Sequence, residues 1–340
     1  MRGWSDNREF LAAMLHGRRG RLLEGDRLMR LCGGEGWESV AVELGVDGVG
    51  GGVLGVELGL WRRAAVELGR VAEAYGGEVG EFLRWWCHRF LIRDYRLLIR
   101  AVLGGEEGVS GDLLVSGGVV WDTIQDLGIE GFCDGLPRGG LRERYGAFLR
   151  VHPGERRGFL HEAVLERAYL EGLAERAVGL GGEDGERVRR LVAAELMGAE
   201  LLLLAAGRFV FGLGAMDLDC VRAFGRGVAR PRWDAAMGVG TLAELGRLYL
   251  GVAFDLKPEE RRGGEVGVGQ LERLVMVRHW QMANRVFRGS SMSYGVAVGY
   301  AELRWLEVSL AVRLMEGLRL GLGREVLGAR LSALQVGGGR

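Results

Sequence analysis

The residues that could take part in catalysis are spread along the chain without forming a recognised catalytic motif. A nucleotide-binding P-loop needs a lysine followed directly by serine or threonine after a glycine-rich turn. The only lysine is Lys257, and Pro258 follows it, so a Walker A motif is excluded and we predict no direct nucleotide binding. One GxGxxG match, at Gly50, Gly52 and Gly55, has no strand-helix-strand context. With 61 glycines in the chain, such a match is expected by chance.

The five histidines show no spacing that is typical of a metal site. They are His16, His88, His152, His161 and His279. His161-Glu162 begins like the zinc-binding HExxH motif, but the fifth position is Leu165. We therefore expect each histidine to lie at the surface or at the edge of the core, and we predict no metal site.

The cysteines and serines suggest neither a nucleophile nor a disulfide framework. Cys32, Cys87, Cys133 and Cys220 are far apart and form no CxxC pair, which predicts four reduced thiols in a cytoplasmic protein. No serine lies in a GxSxG elbow, and Ser290, Ser291 and Ser293 fit the N-cap of a helix better than a catalytic role. We predict a protein that is not an enzyme and needs no cofactor.

The charge balance and the hydropathy pattern argue against nucleic-acid-binding, secreted and membrane-spanning proteins. Acidic and basic residues number 45 each, whereas nucleic-acid binders usually carry a basic excess, so we predict no nucleic-acid partner. The start of the chain lacks the apolar core of a signal peptide. The most apolar stretch, 191–216, is interrupted by Glu195, Glu200 and Arg208 and does not fit a membrane span. Any attachment to a membrane would then go through a partner.

Helical periodicity dominates the sequence. Between Glu78 and Leu103, apolar residues recur at intervals of three, four and seven, which indicates one face of a long helix. Similar patterns occur over 8–23, 57–75, 155–179, 185–206, 268–288 and 294–320. Glycine clusters separate them, and residues 258–269 have the composition of a loop. The sequence predicts an all-α fold.

A weak internal repeat runs through three of these helices. Asp94, Glu200 and Glu307 each precede a leucine-rich run, and they lie 106 and 107 residues apart. The repeat predicts three similar helical bundle units of about 110 residues, over 1–108, 109–215 and 216–340.

Three stretches follow one another in a characteristic order. Residues 10–23 read Phe-Leu-Ala-Ala, then Arg-Arg-Gly, then Leu-Leu; 94–100 form a short helix-end pattern; 300–331 form a long helix that ends in Gly-Leu before a short final helix. In order and spacing they resemble the C-type central-stalk subunits of the V-type and A-type rotary ATPases, which are called d-type in eukaryotes. The chain differs from the family pattern where Ala12 and Met14 replace its asparagine and arginine.

The resemblance implies a fold, a role and partners. The family fold is a pseudo-threefold funnel of three similar helical units. The implied role is that of a non-catalytic central-stalk adaptor, which couples the rotor shaft to the membrane proteolipid ring for proton or sodium transport. The implied partners are the central-shaft subunits and the proteolipid ring, and the implied location is peripheral, on the cytoplasmic face of the membrane. Whether the complex makes or hydrolyses ATP stays open.

Two alternatives remain on the sequence alone. One is a helical-repeat interaction scaffold unrelated to ATPases, which would show stacked units of roughly 34–47 residues. The other is a helical, metal-dependent enzyme such as a lyase, although Asp217-Leu218-Asp219 makes only a thin metal motif. For the adaptor, charges on otherwise apolar helices suggest contacts with partners, and we predict Asp94, Arg100 and Arg304 as interface residues.

Overall fold

Helices make up all of the regular secondary structure that the computed structural model describes, which confirms the all-α prediction. The described residues are 8–34, 36–46, 52–104, 114–115, 128–129, 131–223, 230–251, 264–289 and 292–332. The helices are α1 (Arg8–Arg19), α2 (Gly25–Leu31), α3 (Trp37–Glu43), α4 (Gly52–Glu73), α5 (Gly77–Gly104), α6 (Leu141–Val151), α7 (Gly158–Gly179), α8 (Gly182–Phe209), α9 (Ala215–Ala223), α10 (Arg230–Gly238), α11 (Leu242–Leu250), α12 (Gly264–Arg288), α13 (Tyr294–Arg319) and α14 (Arg324–Ser332). A further helical turn spans 131–135.

Six long helices form three consecutive antiparallel pairs. α4 and α5 have 22 and 28 residues, α7 and α8 also have 22 and 28, and α12 and α13 have 25 and 26. The first helix of each pair begins at Gly52, Gly158 or Gly264, which are spaced 106 residues apart. Gly77 and Gly182 allow the tight turns before α5 and α8, because their φ angles of 57° and 70° are left-handed. The repeat seen in the acids therefore extends to the lengths and spacing of the helices.

The three pairs pack against one another in a closed circuit. α5 contacts α7, α8 contacts α12, and α13 contacts α4. The shorter helices cover the outside of these pairs: α1 and α3 pack against α13, α6 packs against α7, and α11 packs against α8. Because the last pair returns to the first, no long helix pair in the described part of the chain is left with an open side.

The second helices of the three pairs, α5, α8 and α13, begin at the same end of the circuit. Asp184 at the start of α8 accepts a hydrogen bond from the backbone N–H of Gly295 at 3.3 Å, and the Tyr294 hydroxyl donates to the Gly181 carbonyl at 2.5 Å. Glu78, near the start of α5, lies against Gly179. The three helices therefore run parallel, over roughly 40 Å each.

Two glycines allow the helices to approach closely. A Cβ on Gly172 of α7 would lie 2.2 Å from the Trp85 ring of α5, and one on Gly299 of α13 would lie 2.6 Å from the Phe287 backbone nitrogen of α12. A side chain at either position would overlap its neighbour, since such contacts are shorter than any van der Waals separation. The Gly172 contact helps to set the distance between the first and second helix pairs, and the Gly299 contact helps to set the distance between the two helices of the third pair.

The sequence predicted the start of α13 correctly but not that of α12. The Ser293 hydroxyl accepts a hydrogen bond from the Gly295 N–H at 3.3 Å and caps α13, as predicted, whereas Ser290 and Ser291 lie outside the described residues. The predicted loop over 258–269 is wrong from Gly264 onward, where α12 has already begun; the rest lies outside the described residues. All four cysteines are free.

The predicted units 1–108, 109–215 and 216–340 each contain one helix pair, and their boundaries stay a prediction. Asp217 and Asp219 belong to α9, where Arg157 and Arg222 pair with them. Among the described residues, none of the helices is both long enough and apolar enough to span a membrane.

Candidate functional site

Four helices meet at a buried cluster of charges, and three of the residues that meet are equivalent in the repeat. Arg89 of α5, Glu195 of α8 and Glu302 of α13 lie 106 and 107 residues apart, five residues before Asp94, Glu200 and Glu307. The Arg89 guanidinium donates to Glu195 Oε1 at 2.6 Å and to the two Glu302 oxygens at 2.9 and 3.1 Å. The repeat thus brings one position from each pair into direct contact. We call Arg89, Glu195, His279 and Glu302 the junction cluster.

The rest of the cluster holds Glu302 in place. His279 of α12 places Nε2 at 2.9 Å from Glu302 Oε2, and Trp86 Nε1 donates to Glu302 Oε1 at 2.5 Å. The exposed fraction of Glu302 is 1%. A carboxylate this deep in the protein is stable only when its oxygens are paired, and each Glu302 oxygen has a cationic partner.

Aromatic rings surround the Arg89 guanidinium. Its central carbon lies 4.7 Å from the Trp86 ring centroid, 5.2 Å from that of Trp305 and 5.8 Å from that of Tyr169. The Tyr169 hydroxyl also accepts from Arg89 Nε at 3.2 Å. Ring faces attract cations, most strongly where water is excluded. The rings therefore replace part of the hydration that Arg89 loses on burial.

The pKa shifts in the cluster differ between its two carboxylates. Burial opposes ionisation of Glu302, but the Arg89 and His279 charges and the hydrogen bonds outweigh it, so the pKa of Glu302 is lowered. Burial also opposes the charged form of His279, yet the adjoining Glu302 carboxylate outweighs it and raises the pKa of the imidazole. Burial raises the pKa of Glu195. The pKa shifts of Glu302 and His279 thus favour their charged forms, whereas burial acts against ionisation of Glu195.

The same residues include a set with metal-ligand chemistry. Ligand atoms of Glu195, His279 and Glu302 all lie within 4.8 Å of one another. Carboxylate and imidazole groups do bind zinc and iron, but Arg89 already bonds the two carboxylates that such an ion would need. The two carboxylates are therefore paired with the Arg89 guanidinium, and we assign no metal ion to this cluster.

The histidines were only partly predicted. The expectation that each lies at the surface or the core edge is wrong for His279 and for His161, which are buried. His161 Nδ1 lies 2.6 Å from the Tyr145 hydroxyl and Nε2 lies 2.9 Å from the Glu155 carbonyl, and burial lowers its pKa. The partners of His279 come from other helices, so motif spacing could not reveal them.

Replacing His279 by glutamine is expected to change how stability depends on pH. A raised folded-state pKa adds stability that is complete below about pH 6.5 and is lost as pH rises through the folded pKa, with a slope of up to about 1.4 kcal/mol per pH unit. Urea unfolding between pH 6 and 9 should show this fall in the wild type and a flatter profile for His279→Gln. The exposed control Arg190→Gln should keep the wild-type profile. Equal slopes in wild type and His279→Gln would contradict the expectation.

The three repeat acids attach outer segments to the long helices. Asp94 Oδ1 accepts from the Val115 N–H at 2.9 Å, and Glu307 Oε1 accepts from the Leu23 N–H at 2.6 Å. Glu200 instead accepts from the Tyr249 hydroxyl and pairs with Arg167 at 3.3 Å. The same position in each pair thus performs one structural task, which is to hold a segment that packs outside the circuit.

The three predicted interface residues lie in different surroundings. Asp94 is 2% exposed and Arg304 is 7% exposed, and both charges have partners within the chain: the Val115 N–H for Asp94, Glu67 and Glu307 for Arg304. Arg100 is 64% exposed and forms a two-pronged ion pair with Glu162 at 2.7 and 2.8 Å. The structure does not bring the three together. Contact with a partner stays a prediction for all of them, and Arg100 is the one at the surface.

A large groove lies between α1 and α4, with α13 at its floor. Its volume is about 1710 Å³. The α1–α4 groove is lined by seven arginines, four glutamates and a set of apolar side chains, among them Val42 and Val66. At the floor, Glu67 accepts from the Tyr300 hydroxyl at 2.6 Å and pairs with Arg18 at 2.8 Å and with Arg304 at 3.3 Å. The charges of the floor are therefore balanced within the chain.

Comparison with known proteins identifies no relative of this chain: no protein-family model matches it, and no curated protein matches it in sequence.

Proposed function

We propose that the chain is a non-catalytic adaptor of a V-type or A-type rotary ATPase, placed between the central shaft and the membrane proteolipid ring. The observation that carries the proposal is the junction cluster. Three parallel helices, one from each of three pairs spaced by about 106 residues, meet through equivalent positions. This supports the pseudo-threefold funnel that the sequence resemblance implies.

A torque-transmitting part has to resist twisting. In a closed circuit, each helix pair is supported on both sides, so a shear applied to one pair is opposed by the other two. The junction cluster adds directional bonds between the same three pairs. Neither feature needs a reactive group, which fits a role in which the protein makes contacts and performs no chemistry.

The arrangement argues against the two alternatives. Scaffolds of short helical repeats stack into open superhelices in which each unit touches only its neighbours. Here α13 returns to α4, and the helix pairs repeat every 106 residues. A metal-dependent lyase would need open ligands, whereas Arg89 bonds both carboxylates of the candidate set and leaves only Glu195 Oε2 without a partner among the described residues.

The proposal can be tested by purifying the tagged chain from gently solubilised membranes of its source cell and identifying its partners by mass spectrometry. We expect the proteolipid and the central-shaft subunits to co-purify with it. A chain that stays alone, or brings only unrelated proteins, would overturn the adaptor function.

Substitution of Arg100 tests the interface prediction separately. Arg100→Glu reverses an exposed charge and places it beside Glu162, so we expect a small fall in thermal stability and a reduced recovery of the shaft or ring subunits. Arg190→Glu, at another exposed arginine, should recover the partners as the wild type does. If Arg100→Glu also recovers them fully, Arg100 lies outside the interface. Asp94 and Arg304 are less suitable for this test because their substitution disturbs buried bonds.

A further inference from the structure

The rim of the α1–α4 groove carries arginines that have no ion-pair partner among the described residues. Arg21, Arg63 and Arg70 line the groove and are exposed, and no carboxylate in the described part of the chain forms an ion pair with them. Arg63 donates instead to the carbonyl oxygens of Leu44 and Gly45, at 2.8 and 3.3 Å. Glu73 is the one rim acid without a described ion pair. A net positive rim next to a neutral floor favours an anionic occupant.

The same rim exposes apolar surface. Val66 is 56% exposed and Val42 is 75% exposed, and both line the groove. Val66 lies between Arg63 and Arg70 on α4, at spacings of three and four residues, so the three side chains share one helix face. Cationic and apolar groups that alternate along a groove are complementary to a partner segment in which acidic and apolar residues also alternate.

The size of the groove favours a helix over a small molecule. Pockets for small molecules and cofactors usually have about 300–1,000 Å³, and this groove has about 1710 Å³. One turn of helix with its side chains, about 10–12 Å across and 5.4 Å long, takes roughly 400–600 Å³. The groove therefore accommodates about three to four turns. Arg63 and Arg70 are two turns apart, about 10 Å along α4, which is the spacing of acids at i and i+7 on a partner helix.

We propose that the α1–α4 groove binds one acidic amphipathic helix of a partner protein. Its carboxylates face Arg21, Arg63 and Arg70, and its apolar side chains pack against Val42 and Val66. The inference goes beyond the adaptor function, since it concerns one side of the circuit and holds or fails without any part of an ATPase.

The proposal can be tested with the purified full-length chain and a fluorescein-labelled peptide of fourteen residues. The peptide carries leucine at every third or fourth position and glutamate elsewhere, and a matched peptide carries glutamine in place of glutamate. By fluorescence anisotropy at low salt, we expect the glutamate peptide to bind at least about tenfold more tightly. Salt near 1 M should weaken this binding strongly because it screens exposed charges.

Substitutions locate the binding. The double variant Arg63→Glu with Arg70→Glu should lower the affinity for the glutamate peptide by about tenfold or more. Val66→Ser should weaken binding of both peptides, and Arg190→Glu should leave it unchanged. Thermal unfolding of each variant shows that it is folded, and since Arg63 and Arg70 are exposed we expect no large shift.

Three results would overturn the proposal. The first is equal binding of the glutamate and glutamine peptides. The second is equal binding by the wild type and the double arginine variant, which would mean that the peptide binds elsewhere. The third is binding to phosphatidylserine vesicles that the double variant loses, with no binding of the peptide, which would assign the rim to an anionic membrane surface.

Discussion

Replacing Arg89 by methionine is expected to lower the free energy of unfolding by about 3–5 kcal/mol. Methionine has a similar length and is apolar, so the change removes the guanidinium with little change in packing. It leaves the carboxylates of Glu195 and Glu302 without their main cationic partner, and Glu302 is 1% exposed. The penalty for burying an unpaired carboxylate exceeds the net contribution of the original ion pair, and this penalty dominates the expected loss.

Urea unfolding followed by circular dichroism measures the loss. Arg190→Met is the matched control, since Arg190 lies on α8 with its side chain 69% exposed and pairs with surface Glu186; its effect should stay within about 0.5 kcal/mol. A loss below about 1 kcal/mol for Arg89→Met would mean that the junction cluster does not hold the three helices together.

A combined variant separates the charge penalty from the loss of contacts. Arg89→Met together with Glu195→Gln and Glu302→Gln removes the uncompensated charges at the same time as the cation. If the cost of Arg89→Met arises from stranded carboxylates, the triple variant should be more stable than the sum of the separate losses by at least about 1 kcal/mol. Strict additivity would instead assign the loss to the contacts of Arg89 with the Trp86 and Trp305 rings.

The sequence predicted the helices and the repeat for a clear reason. Helical periodicity depends on neighbours within a few positions, so the face that includes Phe82, Trp86 and Phe90 can be recognised without knowing what it packs against. The repeat acids Asp94 and Glu307 were visible for a similar reason, because both are acids in the same local context. Both turned out to hold backbone N–H groups of outer segments.

The junction cluster could not be found in this way. Its three equivalent positions carry Arg89, Glu195 and Glu302, and a search for similar residues passes over an arginine that corresponds to two glutamates. Opposite charges at equivalent positions are what a contact between units requires, since three like charges would repel. His279 joins them from the first helix of the third pair, which no local pattern could indicate.

The prediction of interface residues failed to separate charges that pair within the chain from charges that are free to contact a partner protein. A charge on an otherwise apolar helix has to be paired, but the sequence does not say whether its partner lies in the same chain. Arg304 pairs with Glu67, 237 residues away, and with Glu307 on its own helix. The uncompensated arginines of the groove, Arg63 and Arg70, were unremarkable in sequence because surface charges are common. They are distinguished by lining a concave surface and by forming no ion pair with a described carboxylate.

The paired polar groups of the junction cluster are better suited to fix an arrangement than to add stability. Buried ion pairs contribute little net free energy compared with apolar residues of similar size, but they strongly penalise arrangements in which a charge loses its partner. Arg89 can satisfy Glu195 and Glu302 together only when all three helix pairs are in register. For this chain we take the cluster to specify the relative positions of the pairs, which is what the proposed adaptor function would require.

Replacing Glu307 by alanine tests the repeat acids and is expected to cost about 3–5 kcal/mol. Glu307 is 2% exposed, accepts from the Leu23 N–H at 2.6 Å and pairs with Arg304. Its removal leaves a buried N–H without an acceptor, costing about 1–3 kcal/mol, and leaves Arg304 with Glu67 alone. The segment after α1 should then detach from α13 before the core unfolds.

Two measurements on this variant distinguish local from global effects. Urea unfolding gives the total loss, and amide hydrogen exchange should show early loss of protection for Leu23 and its neighbours, with little change on α8. Glu316→Ala, on the same helix but 39% exposed, should change the stability by less than about 0.5 kcal/mol. If Glu307→Ala leaves the exchange of Leu23 unchanged, the acid does not hold the outer segment. The recurrence of acids at 94, 200 and 307 would then have no shared structural task, and the evidence for three equivalent units would rest on helix spacing and the junction cluster.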